Sequence, residues 1–441
     1  MRKFTFIGAG SLGFTRDLVR DLLTFKAFDD CEIMLMDINE KRLEYSRKGC
    51  QKIVDAGHHK ATVKATTNRQ EALKDADGVL ITVLQGGVDV WKYDVTIPEK
   101  YGIDICVGDT RGPSGIFRFL RTAPLMLDII RDCEKLCPNA IILNYTNPMA
   151  MLVSYLQTQT KMKVTGLCHS VQGTAEMLAK WLNIKPEELK YQCAGINHQA
   201  FYLTLEHNGK DMYPALREAI KRDEVAKEEP VRIEMFKYLN YFPTESSGHN
   251  SEYNPWFRKR KDLIEKYCTH GTGWNPGEHA YILKEYTGRE DTWEKEYTDW
   301  LDQKDVDLER GKEYASYIFN AIYGDHTPFE FNANLRNENY ITNIDNGACV
   351  EVPVTVDEKG IHTSAPITLP QHLSAFVGHS AKVEELAVRA AIEGDPVKVF
   401  EACLLDPLTA SVCSMEEIHN MVQEMLDKNA PFLTYFKSLK I

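Results

Sequence analysis

The chain has 441 residues, 43% hydrophobic and 10% aromatic, which supports a substantial core and excludes disorder as its main state. Lys plus Arg number 52 against 64 Asp plus Glu, a net charge of −12, so broad electrostatic binding to nucleic acid or to an anionic membrane is excluded. No run approaches the ~18 apolar residues of a membrane span, a glycine loop interrupts the N-terminal apolar run before it forms a secretory signal, and eleven cysteines without framework spacing predict a reduced, cytoplasmic protein.

Residues 3–7 (K-F-T-F-I) read as a short buried strand, followed by a glycine loop and a helix from Phe14 to Leu23. Residues 32–36 form a second strand ending at Asp37, and residues 78–83, 140–143 and, more weakly, 163–167 form others. Continuous apolar runs separated by helical stretches predict a parallel sheet covered on both faces and doubly wound. From about residue 196 the pattern becomes α+β. Strands are expected at 200–205 and 348–354, and helices at 311–323 and 382–404. The charged run Asp223 to Glu229 reads as solvated, and residues 258–310 as a surface excursion or lid. The expected division is residues 1–195 and 196–441.

Residues 8–13, Gly8-Ala9-Gly10-Ser11-Leu12-Gly13, complete a G-x-G-x-x-G between a strand and a helix, and Asp37 closes the second strand 24 residues after Gly13. Gly8 permits the tight turn, Gly10 the approach of a pyrophosphate, and Gly13 the close packing of helix on strand. The helix N-terminus, with Ser11, offers N–H groups to phosphates. A carboxylate at Asp37 accepts from a ribose diol and repels a 2′-phosphate, so NAD is expected rather than NADP.

Ligands of such sheets bind beyond the carboxyl ends of the strands. There lie Asn144 to Pro148 and Cys168-His169-Ser170-Val171, with Asn197-His198 just before a later strand. Sulfur plus imidazole suits a divalent transition metal with positions left for substrate oxygens. A buried thiol beside a polar neighbour explains the same residues without a metal, as a helix end explains Cys133 and Cys137. Three polar stretches, 108–115, 244–257 and 332–337, read as loops able to line a pocket.

Together these motifs resemble glycoside hydrolase family 4, the NAD- and metal-dependent glycosidases. The similarity spans nearly the whole chain, through D-T-R-G-P-S-G-I-F-R at 109–118, N-Y-T-N-P-M-A-M at 144–151, G-L-C-H-S-V-Q-G-T at 166–174, C-A-G-I-N-H at 193–198, and T-E-S-S-G-H with E-Y-N-P-W-F at 244–257. The C-H-S-V at 168–171 is similar to the α-galactosidase branch. The resemblance implies a Rossmann-like N-terminal domain with a C-terminal α+β domain similar to that of lactate and malate dehydrogenases. It implies metal ligation, usually of Mn²⁺, by Cys168 and His198, and substrate binding by Asn147 and Arg111. Tyr253 would be the catalytic base and Asp109 the acidic residue that makes it more basic. His169 would be the acid, in a position where related phospho-α-glucosidases carry aspartate. The implied reaction on an α-glycoside oxidises C3 transiently with bound NAD, removes the C2 proton, eliminates the C1 oxygen, adds water and reduces C3 again. A homodimer or homotetramer is also implied.

Rival readings are an α-galacturonidase or α-glucosidase of the same family, an NAD-dependent 2-hydroxyacid dehydrogenase using Arg111 or Arg118 against a carboxylate, and a non-catalytic NAD sensor. The dehydrogenase leaves Cys168 and His198 without a purpose. The sensor has no need of the polar loops.

Overall fold

Short, fully buried apolar strands must lie inside a sheet covered on both faces, and the first half of the chain is built from them. The computed structural model describes residues 1–269, 271 and 277–441. In it, β1 (Lys3–Ile7), β2 (Glu32–Met36), β3 (Thr62–Thr66), β4 (Gly78–Ile81), β5 (Ile141–Asn144) and β6 (Lys163–Gly166) are parallel, in the order β3-β2-β1-β4-β5-β6. This is the doubly wound order of dinucleotide-binding domains. β3 was not legible, because T-V-K-A-T has little apolar content; it is an edge strand, and its Lys64 pairs with Glu32 at 2.6 Å. β4 stops short of residue 83, as Thr82 turns to donate to the Gly8 carbonyl at 3.0 Å.

The sheet continues with antiparallel strands: β7 (Lys190–Ile196), β8 (Gln199–His207), β9 (Lys210–Asp211), β10 (Phe329–Arg336), β11 (Cys349–Asp357) and β12 (Gly360–Thr363). The order runs β6-β10-β11-β7-β8-β9, with β12 on β11, so the described residues form one twelve-stranded sheet. Single residue pairs make the two junctions: Asn334 opposite Gly166, and Glu351 opposite Gly195. On one face Phe4 packs between Phe28 and Phe319, at 4.9 and 4.7 Å. On the other, Ile7, Val79, Ile81 and Ile142 meet the helix Gly112–Leu136 and the C-terminal helices.

Several expectations are corrected. The loop expected at 332–337 is mostly β10: Asn332 and Asn334 are buried, and their amides donate to the carbonyls of Cys193 and Gly166. Buried asparagines paired to backbone read as polar loop in sequence alone. The stretch 108–115 runs into the 25-residue helix Gly112–Leu136, with Pro113 in its first turn. The stretch 244–257 contains the helix Ser247–Tyr253. Residues 223–228 are helical, and Glu229 is not solvated; it is fully buried and accepts from Arg232 at 2.7 Å. The helix expected over 382–404 is two helices, Gln371–Glu393 and Pro396–Leu405, divided at Gly394 with φ 64°. The excursion expected at 258–310, of which 270 and 272–276 lie outside the described residues, contains the helix Tyr281–Leu301. That helix is docked: Glu294 and Glu290 pair with Lys41 and Arg42 at 2.6 and 3.0 Å. Among the described residues, no helix is long and apolar enough to cross a membrane.

Arg121 of the helix Gly112–Leu136 pairs with Asp94 of the helix Gly87–Lys100, and both side chains are fully buried. Removing one partner strands the other charge, so Asp94→Ala lowers the unfolding free energy by about 3–5 kcal/mol, while the double change Asp94→Leu with Arg121→Met loses much less. Urea denaturation compares them; equal losses from the single and double variants would show that the pairing is not the cause.

Candidate functional site

The glycine loop forms a backbone cradle at the carboxyl end of β1. Gly8 has φ 87°, and a Cβ there would lie 2.2 Å from the Thr82 carbonyl oxygen. A Cβ on Gly10 would meet the Asp37 carboxylate at 2.7 Å, so only glycine lets these parts approach. Gly10 N–H donates to Asp37 Oδ2 at 2.7 Å and Asn39 N–H to Oδ1 at 2.8 Å. Ser11 Oγ lies 2.7 Å from Thr15 Oγ1, and Gly13 opens the helix Gly13–Leu23. A glycine turn, a helix N-terminus and a carboxylate at the end of β2 fit a dinucleotide.

Cys168 follows β6 and His198 occupies the turn between β7 and β8, where its backbone has φ 62°. Cys168 Sγ lies 3.2 Å from His198 Nε2. Glu245 Oε2 stands 3.4 Å from the same nitrogen. On its other side, His198 Nδ1 lies 3.0 Å from Thr110 Oγ1 and 3.2 Å from Tyr253 OH. Burial pushes His198 down to about 4, so it is neutral at pH 7, the form that ligates metals. Two groups gather within 4.8 Å: Cys168, His198 and Glu245; and Asp109, His198 and His249. A thiol, an imidazole and a carboxylate are a chemically sound donor set for a divalent transition metal.

Charge is balanced tightly around this pair. His249 lies 3.2 Å from Glu245 and 3.7 Å from Asp109. Burial opposes its protonation, but the charge of Glu245 and the contact with Asp109 prevail and lift it to about 9. Burial likewise opposes ionisation of Asp109, and His249 with Arg118 outweighs it, holding the carboxyl far below its usual range. Asn147 Nδ2 donates to Asp109 at 3.3 Å.

Tyr253 ends the helix Ser247–Tyr253 and is buried. Burial first, then the charge of Asp109, pushes its phenol well above the ordinary value, while Arg111 acts the other way. The phenol's hydrogen-bond partner is His198; none joins it to Asp109 among the described residues. Arg111, the expected substrate contact, borders the Tyr253 ring and is also held by protein groups. Its guanidinium lies 4.8 Å from the Tyr253 ring centroid, donates to the Asn197 carbonyl at 2.6 Å and pairs with Glu384 at 2.9 Å. His169 lies at the surface bordering this cluster, its side chain 65% exposed and 3.3 Å from Glu313, whose hydrogen bond raises its pKa.

Thus Cys168, His198, Asp109, Asn147 and Tyr253 converge, His169 borders them, and the glycine loop forms a separate cradle. Glu245, His249 and Thr110 carried no individual signal in sequence, although each lay in a stretch marked as polar. Glu252 was equally silent. Its carboxylate accepts from the N–H groups of Cys106, Val107 and Gly108, each at 2.9 Å, and so shapes the loop that presents Asp109.

Fold and site together define an enzyme built on a doubly wound nucleotide-binding sheet, with a buried acid–base cluster beside it. A family model described as family 4 glycosyl hydrolase matches residues 3–184, and one described as its C-terminal domain matches residues 193–409. An α-galactosidase of Rhizobium meliloti (strain 1021) is 37% identical over 98% of this chain and 89% of its own length. An α-galactosidase of Bacillus subtilis (strain 168) is 35% identical over 99% of this chain and all of its own. Among solved structures, a 6-phospho-α-glucosidase from gut microorganisms, in complex with NAD and Mn²⁺, superposes with a TM-score of 0.80 at 20% identity, covering 98% of each chain. Malate dehydrogenase of Cryptosporidium parvum has the same general fold, with a TM-score of 0.52 at 16% identity over 89% of this chain and all of that one. The chain belongs to family 4 of the glycosyl hydrolases. It is a glycoside hydrolase.

Glu252→Ala orphans three buried N–H groups and is expected to cost on the order of 3 kcal/mol, with a larger fall in activity than in nucleotide affinity. Denaturation and nucleotide titration check this; unchanged activity would separate the loop from the chemistry.

Proposed function

We propose that the protein hydrolyses α-galactosides, with NAD and a divalent metal, Mn²⁺ or a similar ion, as resident cofactors. The observation that carries the reading is the 3.2 Å approach of Cys168 Sγ to His198 Nε2, with the Tyr253 phenol on the opposite nitrogen of the same ring. The two α-galactosidases that align over nearly the full chain support the substrate class. The glycine cradle and Asp37 support NAD, and the similar structure bound to NAD and Mn²⁺ supports both cofactors.

Gly8, Gly10, Ser11, Gly13 and Asp37 would hold the NAD, and Cys168 and His198 the metal. When bound, the two supply reversible oxidation at sugar C3 and polarisation of the C2 and C3 oxygens. Asn147, fixed on Asp109, holds substrate hydroxyls. Oxidation makes the C2 proton acidic, and Tyr253 removes it. His198 Nδ1 keeps the phenol oxygen in one position, and the cationic face of Arg111 beneath the ring favours the ionised form. Asp109 opposes that ionisation by charge, which makes the oxygen a stronger base once it is ionised. His169, whose pKa is raised by its hydrogen bond to Glu313, is the acid for the departing C1 oxygen. Water then adds at C1.

The division at residue 195 belongs to this reading: the nucleotide cradle and Cys168 lie before it, His198 and Tyr253 after it. So do a homodimer or homotetramer and a cytoplasmic location. No disulfide joins the cysteines among the described residues, and ten of the eleven are buried, which suits a reducing compartment. An α-galacturonidase needs an arginine for the C6 carboxylate, and the pairing of Arg111 with Glu384 weakens that alternative. An NAD-dependent hydroxyacid dehydrogenase gives the thiol–imidazole pair no task.

With p-nitrophenyl α-galactoside, activity is expected to require NAD⁺, Mn²⁺ and a thiol reductant, each omitted in turn, with no net NADH formed. Cys168→Ser is expected to abolish the metal requirement together with the activity, leaving NAD binding intact. Net NADH from a hydroxyacid would favour the dehydrogenase instead. Separately, Tyr253→Phe is expected to stop solvent-deuterium incorporation at C2, read by NMR of recovered sugar; continued exchange would reassign the base.

A further inference from the structure

Glu245 is held in a conformation that its residue type disfavours. Its backbone has φ 66°, in the left-handed region that residues with a side chain rarely adopt. His198, with φ 62°, is in the same region. The backbone around Glu245 is pinned: Thr244 N–H donates to the Ala200 carbonyl at 2.9 Å, Asn250 donates to the Thr244 carbonyl at 2.9 Å, and Ser246 caps the next helix. The two strained residues bring Glu245 Oε2 to 3.4 Å from His198 Nε2, where Cys168 Sγ also stands, at 3.2 Å.

Glu245 is met by imidazoles rather than by hydrogen-bond donors. The Glu245 side chain is only 12% exposed, accepts no hydrogen bond from any described residue, and has two imidazoles as its ion-pair partners. The two imidazoles balance its charge, but the oxygens of this buried carboxylate receive no hydrogen bond from the described residues. A divalent cation would occupy the unfilled side of that carboxylate and draw thiolate, carboxylate and neutral imidazole to one point. The competing group of Asp109, His198 and His249 is less open to an ion. Asp109 already accepts from Thr110 at 2.7 Å and from Asn147 at 3.3 Å, and His249 Nδ1 is 2.8 Å from Ser246 Oγ.

We propose that Glu245 is the third protein ligand of the divalent metal, completing a Cys168–His198–Glu245 set on the Nε2 side of the histidine. This rests on the two-ligand reading above and goes beyond it. Three protein donors leave positions for two adjacent sugar hydroxyls, and His198 Nδ1 stays on the side of Thr110 and the Tyr253 phenol.

The test uses the full chain and the metals alone. Mn²⁺ affinity is measured by calorimetry, and Co²⁺ binding by visible absorption, for the parent protein, E245Q, E245D and C168S. Glu245→Gln is expected to weaken Mn²⁺ binding about 100-fold or more and to alter the cobalt ligand-field bands, while keeping the thiolate-to-cobalt band. Glu245→Asp, which keeps the carboxylate on a shorter arm, recovers part of the affinity and serves as the probe if E245Q fails to fold. NAD affinity is expected to stay unchanged in each variant that folds, which a general structural role would not allow. Parental Mn²⁺ affinity and an unaltered cobalt spectrum in E245Q, with both lost in C168S, would overturn the proposal and leave the two-ligand reading standing. Parental affinity in both E245Q and C168S would overturn both.

Discussion

The imidazole of His198 has two nitrogens, and the site is organised by what each one faces. Nε2 looks toward the thiol of Cys168 and the carboxylate of Glu245, while Nδ1 looks toward Tyr253 and Thr110. A buried neutral imidazole can accept on one side while donating on the other, so one ring joins the thiol and carboxylate on one edge to the phenol on the other. Everything else fixes that ring: the two-residue turn between β7 and β8, the positive φ, and the strands of the antiparallel half.

Around this ring the charges alternate. Glu245 and Asp109 are each beside His249, and Tyr253 lies between Asp109 and Arg111. Such groups would be costly to bury singly; arranged in alternation they stabilise one another. The cost of desolvation is met partly by backbone. Glu252 gathers three consecutive N–H groups of the loop before Asp109, and Arg111 donates to the carbonyl next to His198.

The nucleotide half was legible because its physics is local. A buried parallel strand is an apolar run, and the glycine loop has fixed spacing, so β1, β2, β5 and β6 fall within a residue or so of their expected places. Cys168 and His198 drew notice as a soft donor and an imidazole, and the resemblance named them a pair; their meeting at 3.2 Å belongs to the fold. What escaped was polar burial. β10 hides asparagines that bond to neighbouring carbonyls, Glu229 hides against Arg232, and Glu245 and His249 lie in a stretch indistinguishable in composition from an exposed loop. Hydropathy cannot tell a polar side chain facing water from one facing a partner elsewhere in the chain. The helix Tyr281–Leu301 was hidden for a related reason: it is charged nearly all round and docks through ion pairs and aromatic contacts.

The pairing of Arg111 with Glu384 has a consequence for how the enzyme comes into being. Glu384 belongs to the helix Gln371–Glu393, late in the chain, yet it anchors the cation lying under the Tyr253 ring. A ribosome must therefore release almost the whole polypeptide before the floor of the reaction chamber can close. Neither half of the molecule, severed from the other, would inherit a working fraction of the chemistry.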